Sequence, residues 1–519
     1  MRRMGSAMLV VLLCATAWLL ATPGSAAAED SVFLVLTRNQ PRNIDPAVGA
    51  DNPTRKIHAG VYEPLIDHKL GTADATNLEG VLAKSWKVSA DGLTYTFALR
   101  ENVKFHDGST LSAEDVKLSL ERMKKIGLGR SWALDPVKEV RVVNPMTVEL
   151  VLARPYPPFL LGLPVVFIVS SQAVKKNQKG DDLAQAWLTQ NEAGTGPFRL
   201  REFKVGEQIV MDRFDGYWRG WPAKHLDRVV LKLVAEPATQ KILMEGGQGH
   251  WADTISPGDL ESFAQRKDFV VTAEPTWGIQ FFWMNTKKAP LDDPRVRKAM
   301  RLAFPYEQMI KDVMRGRGTL PQGYLSPGYL TQEGPPEKTD IQAARKLLAE
   351  AGVAPGTPIT IEFSFGLDFQ RQAVELMAGS LRPLGIDVKI QGVTFATMFQ
   401  HASDAAQRPH MFYSSADPDT ADPDSFLYRT FYSKSRYWAN FGFGDPKIDD
   451  VLEKARYELK PERRVELYKQ AQAMLQEASP AIPSFVQQTS HLLRGNVKGY
   501  KFHPPYAWGA IAYYNLWIE

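Results

Sequence analysis

Between Ser414 and Phe426 the chain reads SSADPDTADPDSF, so Asp417, Asp419, Asp422 and Asp424 set four carboxylates within eight residues. Carboxylates at that density suit two kinds of chemistry. Hard cations want several oxygen ligands, which makes a calcium loop conceivable. The central glycine and terminal glutamate of an EF-hand are missing, however, and Pro418 and Pro423 stiffen the run. Two of the four could also stand at the separation used by glycosidases, which makes a hydrolase of peptides or glycans the competing functional class. The plainest alternative is an exposed array of Asx and proline turns.

Other chemistry is sparse. No G-x-S-x-G elbow, H-E-x-x-H pair, Walker loop or dinucleotide-binding glycine fingerprint occurs. The nine histidines include no pair at metal-ligand spacing on a helix, and no metal or cofactor is expected. His106, in FHDG, is expected to be a turn residue bonding local backbone, and His58 and His68, flanking YEPL, to be structural. Aromatic residues are plentiful, and Trp277 and Trp283 in WGIQFFWM are candidates to line a pocket.

The elements that must hold these groups are clearest at residues 82–123, LAKSWKVSADGLTYTFALRENVKFHDGSTLSAEDVKLSLERM. Trp86 and Val88, then Leu93, Tyr95, Phe97 and Leu99, alternate with polar neighbours on either side of Asp91-Gly92, which predicts a β-hairpin. Ser112 with Glu114 and Asp115 opens a helix carrying Val116, Leu120 and Met123 on one face. Further strands are expected at 31–37, 146–152, 198–203, 229–233 and 277–285. Asp293-Pro294 starts a helix, and helix, strand, helix and strand then alternate from Asp340 to Ile390, which implies crossover connections and a partly parallel sheet.

LAKSWKVSADGLTYTFALRENVKFHDG with LSAEDV resembles the signature region of the family 5 bacterial extracellular solute-binding proteins. Ile44-Asp45-Pro46, Tyr62-Glu63-Pro64-Leu65 and Gly194-Thr195-Gly196-Pro197-Phe198 match further motifs of that family, the last at every residue and readable by itself as a backbone turn. The resemblance implies an α/β fold of the two-lobe periplasmic-binding-protein type, with a hinge and an extra subdomain in the larger lobe. It also implies capture of a small polar solute, a di- or oligopeptide before any other, for the membrane permease of an ABC importer. In peptide-binding relatives one aspartate pairs with the ligand's ammonium group. The matching position is Asp419, with Asp417 second, while the backbone of Ser415, Ala416 and Asp417 and of Gly49, Ala50 and Asp51 would pair with an extended ligand. Pro418 departs from the peptide-binding pattern, because proline removes a donor and fixes φ.

Length and composition agree. With 519 residues, 44% apolar and 23% charged, the chain is too long for one core and too balanced for disorder. Arg2 and Arg3, an apolar run from Ala7 to Leu20 and the small residues Ser25 to Ala28 read as a secretory signal over 1–28, too short to span a bilayer. Cys14, the single cysteine, lies inside that run behind the bulky Leu13, which argues against a lipoprotein anchor and leaves the processed chain without thiols. A soluble periplasmic monomer is expected. Basic and acidic side chains number 62 and 58 and no basic block of five occurs, so nucleic-acid binding has no electrostatic footprint. The expected limits are 29–285 for the first lobe (extra subdomain about 70–190), 286–488 for the second, and 489–519 for a return to the first.

Overall fold

The structure, a computed structural model, describes residues 31–71, 76–326, 329, 334–418, 420, 422–435, 440, 442–502 and 511–519. The expected signal segment, Cys14 and Asp419 lie outside the described residues.

The hairpin forms from Ala83–Val88 and Thr94–Leu99, with Gly92 at φ 68° in the turn. Tyr95, Phe97 and Leu99 are buried as their alternation predicts. Removing a side chain of this size from water contributes about 1.5–3 kcal/mol. The opposite strand is less committed: Trp86 is half-buried and Val88 is 44% exposed. Thr147–Leu152 and Val137–Asn144 extend the pair to a four-stranded antiparallel sheet. Helix Ala113–Ile126 covers one face with Val116, Leu120 and Met123. Asp115 holds the helix start, accepting from the Ser112 amide (2.8 Å), the Ser112 hydroxyl (2.7 Å) and the Ser171 amide (2.9 Å).

Two larger sheets form the cores of two lobes. The first has seven strands in the order Phe269–Val271, Leu492–Arg494, Trp251–Ala252, Val32–Thr37, Arg228–Leu233, Gln208–Arg213 and Phe198–Lys204. Val32–Thr37 at its centre runs parallel to both neighbours, which explains why it reads as a continuous apolar run. The second has six, in the order Gly318–Thr319, Ala481–Thr489, Glu274–Met284, Met411–Ala416, Thr357–Ser364 and Ile386–Val393. Its parallel pair, Thr357–Ser364 with Ile386–Val393, is joined across helix Asp368–Leu381, the crossover that the alternation of elements implies.

The chain passes from the first sheet to the second at Thr272-Ala273 and returns at Ser490-His491. Strand Glu274–Met284 is hydrogen-bonded on both sides within the second sheet, whereas the expected limit at residue 285 would leave it with the first lobe. Periodicity marks a strand but not the sheet that receives it. After the return, Leu492–Arg494 pairs with strands Trp251–Ala252 and Phe269–Val271, and Tyr513 packs beside Phe33 and Phe198.

Candidate functional site

The motifs that stand out in the sequence converge on one buried cluster in the first lobe. The Glu63 carboxylate accepts from the Thr195 hydroxyl (2.8 Å), the Tyr217 hydroxyl (2.8 Å) and the Trp218 indole N–H (2.9 Å). His106 bonds Glu192 through Nδ1 (2.8 Å) and the Gly196 carbonyl through Nε2 (2.9 Å), so its partners are distant in sequence rather than local. GTGPF is more than a turn: a Cβ on Gly194 would sit 1.9 Å from the Val61 carbonyl oxygen. Asp45 is fully buried and receives both terminal nitrogens of Arg122, at 2.7 and 2.5 Å. Burial raises Glu63 despite its donors. Burial lowers His106 most, but Glu192, the Gly196 carbonyl and Glu63 together outweigh it and the net shift is upward. The donors of Thr195, Tyr217, Trp218 and Arg122 all find their acceptors inside the same lobe, which makes the cluster architectural.

The acidic segment is divided differently from any of its three sequence readings. Asp422 is held by Arg464 through two bonds of 2.7 and 2.5 Å. Asp424 accepts from the Tyr156 hydroxyl at 2.7 Å and lies 3.8 Å from Arg456. Both carboxylates are buried, so this part of the run is neither an exposed turn array nor a pair open to a substrate. Among the described residues no group of three His, Cys, Asp or Glu could hold a metal ion.

Tyr156 belongs to the rigid Arg154–Pro158 loop beside the four-stranded sheet, and Asp424 to the opposite lobe, so their bond spans the gap between lobes. That gap is a cleft of about 800 Å³. Ala50, Arg55, Arg130 and Trp132 wall it on the first lobe; Thr420, Tyr428, Arg429 and Arg456 wall it on the second. The second wall is built from a five-residue π-helix, Asp424–Tyr428, running into Arg429–Phe431, and from the last turn of helix Pro446–Tyr457. Wide helical turns of this kind recur at functional sites because they re-aim side chains. Arg456 lies 4.1 Å from the Tyr428 ring centre and 5.1 Å from that of Tyr156. Burial raises Asp424, with Arg456 opposing, and raises Asp135 on the facing wall. A second cavity, about 140 Å³ beside His58 and Glu63, lies wholly within the first lobe and is below the size range of about 300–1,000 Å³ usual for ligand sites.

Of the residues expected to bind ligand, Ala50 lines the cleft. Gly49 packs so closely that a Cβ would meet the Asn43 carbonyl at 2.6 Å, and Asp51 caps helix Asn52–Val61 through the Thr54 amide (2.8 Å). Ser415 and Ala416 pair with Gln280 and Ile279 along one edge, and the Asp417 carbonyl accepts from Arg429 at 3.3 Å. None of these five is part of the cleft lining. Trp277 is 8% exposed, packs against Tyr329 in the core of the second lobe and likewise lies off the lining; its large ring is worth more there than at a wet wall. The cleft residues missed by sequence reading are Arg130, Tyr156, Tyr428, Arg429 and Arg456. The RPYPP loop was a signal for Tyr156; the others belong to no motif.

The comparisons agree with this architecture. Residues 77–438 match the family described as bacterial extracellular solute-binding proteins, family 5 Middle. The chain is 29% identical over 485 residues to the probable D,D-dipeptide-binding periplasmic protein DdpA of Escherichia coli K12, covering 92% of this chain and 93% of that one. It is 30% identical over 525 residues to the di/tripeptide-binding protein 2 of Pseudomonas aeruginosa, covering 94% and 96%. Among solved structures, the dipeptide binding protein from Pseudoalteromonas sp. SM9913 in complex with Met-Leu superposes with a TM-score of 0.81 at 23% identity, over 94% of this chain and all of that one. A match spanning well over half of the chain, on a two-lobe fold with a cleft between the lobes, makes this protein a member of the family 5 bacterial extracellular solute-binding proteins.

Proposed function

We propose that the protein binds a di- or tripeptide-like solute in the inter-lobe cleft, closes on it by hinge motion and delivers it unaltered to the permease of an ABC importer. The observation that carries this reading is the cleft of about 800 Å³ with walls from both lobes and a direct bond, Tyr156 to Asp424, across it. A ligand touching both walls favours the closed state by the difference in its affinity for the two states. Relatives named for dipeptides and for di- and tripeptides support the substrate class, and periplasmic relatives support a periplasmic location. We take residues 31–271 with 492–519 as the first lobe and 274–489 as the second, with Thr272-Ala273 and Ser490-His491 as the hinge.

A peptide backbone has a docking edge available. Strand Thr357–Ser364 pairs with Met411 to Tyr413 only, so beyond Tyr413 that side of Ser414–Ala416 has no strand partner among the described residues. Strand addition there gives affinity without reading side chains. Hydrolysis is disfavoured by Asp422 and Asp424, whose oxygens are already bonded to Arg464 and Tyr156.

Native mass spectrometry of protein purified without denaturation should show retained cargo at one per chain. Titration with a dipeptide panel should give saturable heat, with a smaller radius of gyration by scattering on binding. Turnover of a panel member, or saturation without any change in shape, would overturn the reading.

A further inference from the structure

The aromatic residues of the cleft lining include Trp132, Tyr156 and Phe159 from the first lobe and Tyr428 and Tyr432 from the second. Two of these are already engaged by the fold. Phe159 is 1% exposed with its ring 4.8 Å from that of Tyr95, and the Tyr156 hydroxyl is bonded to Asp424. Trp132 is different. It stands in the short turn Ser131–Leu134, whose Ala133 and Leu134 are buried in the core of the four-stranded subdomain, while its own side chain is only half-buried against that core. An indole taken out of water usually spends its N–H on a partner. Trp218, Trp221 and Trp283 do so, on Glu63, the Phe214 carbonyl and Ser414. The Trp132 indole makes no hydrogen bond and no aromatic ring contact with any described residue. Gly129, Ala133, Pro136, Pro158 and Gly162 belong to the same wall, and a Cβ on Gly162 would lie 3.8 Å from the indole. Side chains this short leave space beside the ring.

On the second lobe, Tyr428 and Tyr432 stand one helical turn apart, with the Tyr432 amide donating to the Tyr428 carbonyl at 3.1 Å. Their rings stack at 4.3 Å between centres and 14° between planes, and the Arg456 guanidinium lies 4.1 Å from the Tyr428 centre. The stack is thus held by its own lobe, so binding against it costs little side-chain freedom.

From these two surfaces we propose that Trp132 on one lobe and the stacked Tyr428 and Tyr432 on the other form a slot for an aromatic side chain. The cleft then prefers peptide-like solutes that carry a ring to those with small side chains. The inference rests on the cleft being the solute site and adds the chemical class of its occupant. A ring buries a large apolar area and, stacked or edge-on against other rings, gains more than burial of that area alone. The slot also links selectivity to closure, because a ring that touches both walls favours the closed state through each contact. The four-stranded subdomain thereby takes part in recognition, since its core holds Trp132 at the wall.

The test titrates Ala-Ala, Phe-Ala, Ala-Phe and the two analogues with cyclohexylalanine in place of phenylalanine into the protein by calorimetry. The tighter of the two phenylalanine dipeptides should bind at least about tenfold more tightly than Ala-Ala, as the burial of a ring implies. Its cyclohexyl analogue, with the same number of carbons but no flat face, should bind at least about threefold more weakly than it does. Trp132→Leu and Tyr432→Leu, on opposite lobes, should each cut the preference over Ala-Ala to about threefold or less. The comparison among dipeptides on the unsubstituted protein needs no variant, so it decides the matter even where a substitution disturbs folding. A preference over Ala-Ala below about threefold, or a cyclohexyl ring bound as tightly as the phenyl ring, overturns the aromatic slot and leaves the solute-binding reading standing. A preference undiminished in both variants removes these rings as its source. Failure of every dipeptide to bind, or to close the lobes in scattering, overturns both readings.

Discussion

Glu63 and Asp424 are both carboxylates sealed from solvent, both raised by burial and both bonded to a tyrosine hydroxyl, yet they are held by opposite kinds of construction. The donors to Glu63, from Thr195, Tyr217 and Trp218, belong to the lobe that carries Glu63 itself. Asp424 faces Tyr468 (3.5 Å) and Arg456 (3.8 Å) of its own lobe, but its shortest bond, from Tyr156, comes from the facing lobe. A hinge motion leaves the first set untouched and must break the bond from Tyr156. The motifs that identify the family thus describe a scaffold within one lobe, while the cleft between the lobes is walled by residues outside them. Close likeness in the motifs accordingly says much about shape and little about cargo.

The comparison can be broken most forcefully in the scaffold. Arg122→Met leaves the fully buried Asp45 charge without its partner and should cost about 3–5 kcal/mol of unfolding free energy in urea. A loss under about 1 kcal/mol would show that the motif region is not the rigid half.

The pH response sharpens the contrast further. His58 is driven down to about 3 by burial, so the unfolded chain takes up its proton at a higher pH than the fold does. Its contribution to stability therefore rises with pH between about 3 and the ordinary 6.5. His106 is raised, so its contribution is complete below 6.5 and is lost as pH climbs through the folded value. The two together give a stability maximum near pH 6.5 in chemical denaturation. His58→Gln should flatten the acid limb and His106→Gln the alkaline one.

Tyr156→Phe should have the smallest effect on unfolding, under about 1 kcal/mol, because the bond it removes joins lobes rather than holding one together. It should instead enlarge the radius of gyration of the ligand-free protein and weaken binding. A large fall in the melting temperature with no change in shape would erase the distinction between scaffold and latch.

Much of the scaffold was readable in order. The Asp91-Gly92 hairpin, the Ser112 cap, the start at Asp293-Pro294 and the parallel pair at 357–393 all follow from local rules, because turns, caps and periodic burial are decided by neighbours in the chain. The cleft was much less readable. Asp417 to Asp424 drew attention as a cluster, but Asp422 is bonded to Arg464, 42 positions away, and Asp424 to Tyr156, 268 positions away. His106 looked like a local turn residue and instead fastens a loop 86 to 90 positions away.

By itself the sequence determined the family, the kinds of element and the motif residues that must be buried, since each is dictated by a few adjacent side chains. Only the tertiary structure decided that strand Glu274–Met284 joins the second sheet, that Trp277 is core and that Arg130 and Arg429 share one cleft. The physical reason is that a charged side chain's work depends on what faces it across space. For a cleft between lobes, that opposite wall is hundreds of residues away in the chain.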